Sequence, residues 1–176
     1  MRGNASLRHQ LVTREQNSLF DYWQELCDAK GELPTRADIE PARIAAHLPF
    51  VTLCERAPAD ERFQVRLAGT GFWNFYGSEI TGRAIDDLPI GEGRAYWNRV
   101  LSHVSATGLP MAGTCEPNTP VGSHLRQFWL RLPIASASGK ANLVLGYDQF
   151  LKSPSQQGSR LMRPVFGHGT PMLATA

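Results

Sequence analysis

Cysteine is scarce in this sequence: Cys27, Cys54 and Cys115 are the three among 176 residues. An odd count without a CxxC pair argues against a disulfide framework or a zinc knuckle and for reduced, semi-buried thiols. An excess of charge of one sign is also missing. Eighteen Lys and Arg against sixteen Asp and Glu leave a formal net charge of +2, too small to point to nucleic acid or to a membrane surface. No apolar run approaches the ~18 residues that cross a bilayer. Residues 1–11 lack the continuous apolar stretch of a secretory signal. There is no P-loop, no GxSxG, no HExxH and no paired-glycine dinucleotide loop. The five histidines and three cysteines are scattered without metal-ligand spacing. A soluble, cytoplasmic chain without metal is the expectation.

What is present suits one domain. At 42% apolar and 19% charged, the chain can bury a single core without staples. Residues 1–12 read as a flexible polar arm. Thr13 and Gln16 have capping-box spacing, so each side chain can satisfy an orphan backbone donor of a helix starting there. Leu19, Trp23 and Leu26 follow at i, i+4 and i+7, with Phe20, Tyr22 and Cys27 beside them, which makes a broad apolar stripe. Gly31 and Pro34 end that helix. Pro41 suits the first turn of another, running to Pro49. Residues 50–56 and 63–69 read as a hairpin, with Phe63, Val65 and Leu67 on one side of its second strand. Residues 72–76 form a short helical turn, and Thr81 is placed to cap another containing Asp86 and Asp87. Residues 92–107 form a longer helix that buries Trp97, Val100, Leu101 and Val104. Three strands follow, at 111–116, 125–133 and 142–151. After Lys152 the aperiodic sequence predicts a mobile tail over 153–176. The domain over 13–152 is therefore α+β: a five-stranded antiparallel sheet with helices on one face.

The stretch from Arg66 is the most informative. Arg66-Leu67-Ala68-Gly69-Thr70 ends a strand, FWNFY follows from Phe72, then come Gly77 and the triplet Thr81-Gly82-Arg83. Upstream stand Tyr22-Trp23 and Leu33-Pro34-Thr35-Arg36-Ala37-Asp38-Ile39-Glu40-Pro41. Downstream stands Gly108-Leu109-Pro110. Over roughly residues 19–150 this combination resembles the bacterial single-PAS proteins, with the pattern LPxRxxIxP, RLxGT and GxxxTGR. The resemblance implies a PAS fold, with short helices over one sheet face and an N-terminal helix. It also implies a sensory or adaptor role in signal transduction through protein–protein interaction. With no kinase, cyclase or DNA-binding motif in view, a stand-alone module signalling in trans is expected. The stripe Leu19, Trp23 and Leu26 is the expected homodimer or partner surface; packing on the chain's own sheet is the alternative.

A PAS cavity lies between the sheet and the short helices. Phe72, Trp73, Tyr76, Trp97, Phe128 and Tyr147 are the candidates to line it and meet a small ligand, since aromatics make flat apolar walls. Arg83 is the candidate to hold a ligand anion or an acidic partner. The plainer readings are a filled core and, for Arg83, a surface ion pair. Haem would need an axial ligand, but His103 flanks the buried face of its helix. Flavin photochemistry would need a cysteine in residues 71–87, which have none. No cofactor and no catalytic residue are expected. The competing reading is a small NTF2-like isomerase or dehydratase. In it Glu116, His124 and Asp148, on neighbouring strands, would form an acid/base pocket.

Overall fold

The computed structural model describes residues 7–57, 62–117, 124–136 and 141–152. Helix α1, Arg14–Lys30, begins at the capping box read from the sequence. Gln16 N donates to Thr13 Oγ1 and Thr13 N donates to Gln16 Oε1, both at 3.1 Å. Gly31, at φ 74°, ends the helix in the left-handed conformation that favours glycine.

Five strands form one antiparallel sheet in the order β2-β1-β5-β4-β3. They are β1 Val51–Arg56, β2 Phe63–Ala68, β3 Met111–Cys115, β4 Leu125–Ile134 and β5 Leu143–Lys152. Between β2 and β3 the chain makes α2, Gly71–Tyr76, a 3₁₀ turn at Ile85–Asp87, and α3, Gly93–Thr107. The expected α+β architecture is therefore present, with strand boundaries within a residue or two of those expected.

Both faces of the sheet are covered. On one face Phe72, Ile80, Trp97 and Leu101 pack on Cys54, Val65, Trp129 and Val144. On the other, Leu19, Phe20 and Trp23 of α1 pack on Leu130, Leu132, Leu145 and Tyr147. Two hydrogen bonds fasten α1 to β4: Gln16 Nε2 donates to the Trp129 carbonyl and Trp23 Nε1 to the Pro133 carbonyl, each at 3.0 Å.

Four local expectations are corrected. The arm expected over 1–12 is docked at its C-terminal part, since Leu7 and Leu11 are buried in the α1 layer and Arg8 pairs with Asp21 at 2.8 Å. The helix expected from Pro41 to Pro49 is two 3₁₀ turns, Pro41–Ile44 and Leu48–Phe50; between them His47 N donates to Ile44 O and Leu48 N to Ala45 O, three residues back rather than four. Thr81 does not cap a helix; its Oγ1 accepts from Ala68 N at 3.2 Å and ties the covering segment to β2. Leu67 is 41% exposed although Phe63 and Val65 are buried. The β1–β2 pairing shifts between Leu53 and Cys54, and the extra residue of such a bulge reverses the alternation beyond it. The proposed tail at 153–176 lies outside the described residues.

Gly82 meets two demands in the covering segment. Its φ is 84°, and its N–H donates to Val65 O at 2.6 Å. Gly69 meets a different one: a Cβ there would overlap the carbonyl oxygens of Leu48 and Pro49. These are backbone atoms with no rotamer to yield. Gly69→Ala is expected to cost ~1–3 kcal/mol, read as a lower urea midpoint at unchanged slope.

Candidate functional site

Alternation along the two central strands sends one set of side chains under α1 and the other towards α2 and α3. The second set contains charges. Trp129 of β4 stands opposite Asp148 of β5, so Gln127 and Arg131 are the diagonal neighbours of Asp148, within reach of long side chains. Arg131 Nη2 lies 2.9 Å from Asp148 Oδ1 and 3.0 Å from Oδ2. Gln127 Nε2 donates to Oδ1 at 2.7 Å. Arg131 Nη1 donates to the carbonyls of Leu130 and Tyr147 at 2.9 and 3.1 Å. Arg131 is only 6% and Asp148 only 1% exposed. Burying two charges is costly unless they are paired and hydrogen-bonded, and here both conditions are met.

Aromatic side chains and one glycine hold the guanidinium in place. Its carbon lies 4.5 Å from the centre of the Trp97 ring and 5.8 Å from that of Trp129, within the range of cation–π attraction. Underneath, Gly146 leaves the space it occupies: a Cβ on Gly146 would stand 3.2 Å from Arg131 Nη1 and overlap Thr52 Oγ1. Burial works against the charged guanidinium; the charge and hydrogen bonding of Asp148, with Cys54 and Tyr76 adding, together outweigh it and hold the Arg131 pKa above its ordinary value.

Beside this pair is a small cavity of about 40 Å³. Val65, Phe72, Ile80, Leu88 and Leu101 supply its apolar wall. Thr52, Gln127, Arg131 and Asp148 supply a polar edge, with Tyr76 and Trp97 also in the lining. Burial, with Asp148 adding to it, pushes the Tyr76 phenol well above its ordinary range. The thiols near the pair behave alike. Burial raises Cys54 from 9.0 to about 11 and Cys115 from 9.0 to about 12, with Asp148 adding to both and Arg131 opposing. Cys27, on α1, is also raised to about 11, by burial and then by Asp28. All three are therefore thiols at neutral pH, and the thiolate is the nucleophile. Iodoacetamide at pH 8 is expected to leave Cys54 and Cys115 unlabelled in the native protein and to label both in urea. The same shifts act on stability. Below pH 9 both folded and unfolded thiols are protonated and nothing changes. Above it the unfolded chain loses protons first, so stability falls as pH rises towards 11–12.

Of the sequence candidates, Phe72, Tyr76 and Trp97 line the cavity. Trp73 is 56% exposed, and Arg83 donates to the Asp87 carbonyl on the outer strap. Neither is in the cavity lining. Tyr147 belongs to the layer under α1. Phe128 shares the parity of Leu130 and Leu132 and so lies on that same side of β4. Both therefore lie on the α1 side of the sheet and not on the cavity side, and both sides are covered. The NTF2-like constellation is not assembled: Glu116 and His124 are exposed, while Asp148 is buried in its pair with Arg131. His103 is exposed on α3.

The dimer stripe is corrected as well. Leu19 and Trp23 are 0% and 2% exposed because they fill the chain's own core, and Leu26 is partly buried against the same layer. Sequence reasoning missed Arg131, Gln127 and Thr52. The available signal lay in β4, where Arg131 stands between Leu130 and Leu132 in one parity with Gln127, and in the opposite charge, Asp148, on the last strand.

The PAS domain family model matches residues 12–149. Among solved structures the chain is similar to VqmA bound to DPO, at 16% identity over 62% of this chain and 56% of that one, with a TM-score of 0.50. It is similar to the Vibrio cholerae VqmA dimer, at 16% identity over 65% and 52%, TM-score 0.50. It is also similar to the VqmA–ligand–DNA complex, at 15% over 70% and 64%, TM-score 0.50. These alignments span between about half and two thirds of VqmA's length, and at such identities the likeness is one of fold. No curated protein matches the chain. The family match covers most of the chain, its sheet and the helices on both faces included, and the chain belongs to the PAS domain family.

Proposed function

We propose that this PAS domain is a non-catalytic sensory adaptor in which a small ligand enters the cavity beside Arg131 and Asp148 and alters binding to a partner protein. The observation that carries the reading is the pair itself. A cavity needed only as core would gain as much from apolar side chains of similar volume. Here two charges, Gln127 and Thr52 edge a space whose other walls are mostly apolar, the usual composition of a ligand site. That VqmA, of the same fold, is found bound to DPO supports the reading. The partner is proposed to be protein, since the chain's net charge of +2 gives no electrostatic footprint for nucleic acid. A homodimer belongs to the same proposal, through a surface other than the buried stripe of α1. Among the described residues no helix is long and apolar enough to cross a membrane.

Native mass spectrometry with an absorbance spectrum, on freshly purified protein, tests the reading. The expected result is a small, non-covalent mass excess per chain, lost on unfolding, without a haem or flavin band. A bare mass under every gentle condition tried would sink the ligand part. A coloured cofactor would overturn the cofactor-free part.

A further inference from the structure

The ligand proposed above must meet a pair of charges that already cancel, and this restricts its chemistry. We propose that the cavity takes a small neutral molecule presenting a carbonyl oxygen next to an N–H or O–H, a carboxamide or lactam edge. The oxygen accepts from the Arg131 guanidinium and the donor gives to the Asp148 carboxylate. The inference rests on the reading of the cavity as a ligand site and assigns that ligand a class.

Hydrogen-bond valence sets the first limit. Asp148 Oδ1 accepts from both Arg131 and Gln127, whereas Oδ2 accepts only from Arg131 among the described residues. A carboxylate has about four acceptor positions, so Oδ2 has capacity left for a donor. Arg131 has five N–H groups. Those on Nη1 and Nη2 make the bonds to the two carbonyls and to Asp148, and Nε–H has no partner among the described residues. The pair thus presents one spare acceptor and one spare donor, beside the hydroxyls of Thr52 and Tyr76 in the same lining.

Charge sets the second limit. A carboxylate ligand would place a second anion against Asp148 in a space walled by Val65, Phe72 and Leu101. A cation would meet Arg131. In either case one charge would be left unbalanced where water does not screen it. A neutral donor–acceptor edge makes the same number of bonds and adds no charge. Size sets the third. Free space of about 40 Å³ corresponds to about three water positions, which is the room a carboxamide head needs without displacing a wall.

The test uses the full chain, with the indole N–H signals of Trp97 and Trp129 as reporters in ¹H–¹⁵N NMR spectra. Acetamide, acetate and acetamidinium are isosteric and differ in charge. Acetamide is expected to shift both indoles and to saturate at a concentration at least ~10-fold below either ion. Tighter binding by acetate or acetamidinium would overturn the class and leave the ligand reading standing. No response to any of the three would also overturn the class, and the native mass spectrum decides the ligand reading separately. Asp148→Asn removes the balancing charge, and acetate should then bind ~10-fold better than acetamide; unchanged preference for acetamide would count against the assignment. Should Asp148→Asn fail to fold, Arg131→Met/Asp148→Leu keeps apolar volume in place of the pair. Its indoles should not respond to acetamide, and a retained response would overturn the proposal.

Discussion

Replacing Asp148 by alanine is expected to destabilise the fold by ~3–5 kcal/mol. The loss comes from what stays behind. Arg131 remains 6% exposed with its charge unbalanced, and Gln127 Nε2 loses its acceptor. For a chain of this size each kcal/mol corresponds to ~2–4 °C in Tm, so calorimetry reads the change easily. Arg131→Met/Asp148→Leu is the control. Removing both charges together leaves neither unpaired, and the double variant should recover most of the stability. A single variant no less stable than the double would show that the pair is open to water in solution.

Trp23→Ala carries the second large effect, ~3–5 kcal/mol. The ring is 2% exposed, lies 5.9 Å from Phe20, and donates its N–H to Pro133 O. Truncation therefore opens a void between α1 and the sheet and leaves a carbonyl without its partner. Urea unfolding at two protein concentrations tenfold apart separates this role from an interface. The core role predicts the same loss at both concentrations. A loss that shrinks on dilution, where the parent dimer would dissociate as well, would return Trp23 to a subunit contact.

Strands were the most legible part of the sequence, for a physical reason. In 125–133 and 142–151 the side chains alternate and the flanking turns are rich in Gly, Ser and Pro, so period and punctuation agree. The Thr13–Gln16 capping box was legible because both partners lie within one helical turn. Leu7 and Leu11 were not, because two leucines in a polar stretch show no periodicity until α1 supplies a surface for them. The cavity aromatics were half legible. Phe72, Tyr76 and Trp97 come from helices that cover one face. Phe128 and Tyr147 sit on central strands where both parities are buried, and parity alone does not tell which side holds the cavity. Arg131 was missed because a charged residue in an antiparallel strand is ordinarily read as facing water. No strand position here does so across the middle of β4, where Trp129 to Ile134 are all buried.

The double covering of β4 also governs register. Its odd-numbered side chains meet the cavity through Arg131, while α1 is anchored on the Trp129 and Pro133 carbonyls. A slip of one residue against β5 exchanges the two faces of a strand. Here it would carry Arg131 into the leucine layer beneath α1 and put Leu130 against Asp148, stranding both charges at once. An all-apolar sheet buried on both sides would accept either alignment at similar cost. The Arg131–Asp148 pair therefore makes one alignment of the two longest strands far better than its nearest competitors.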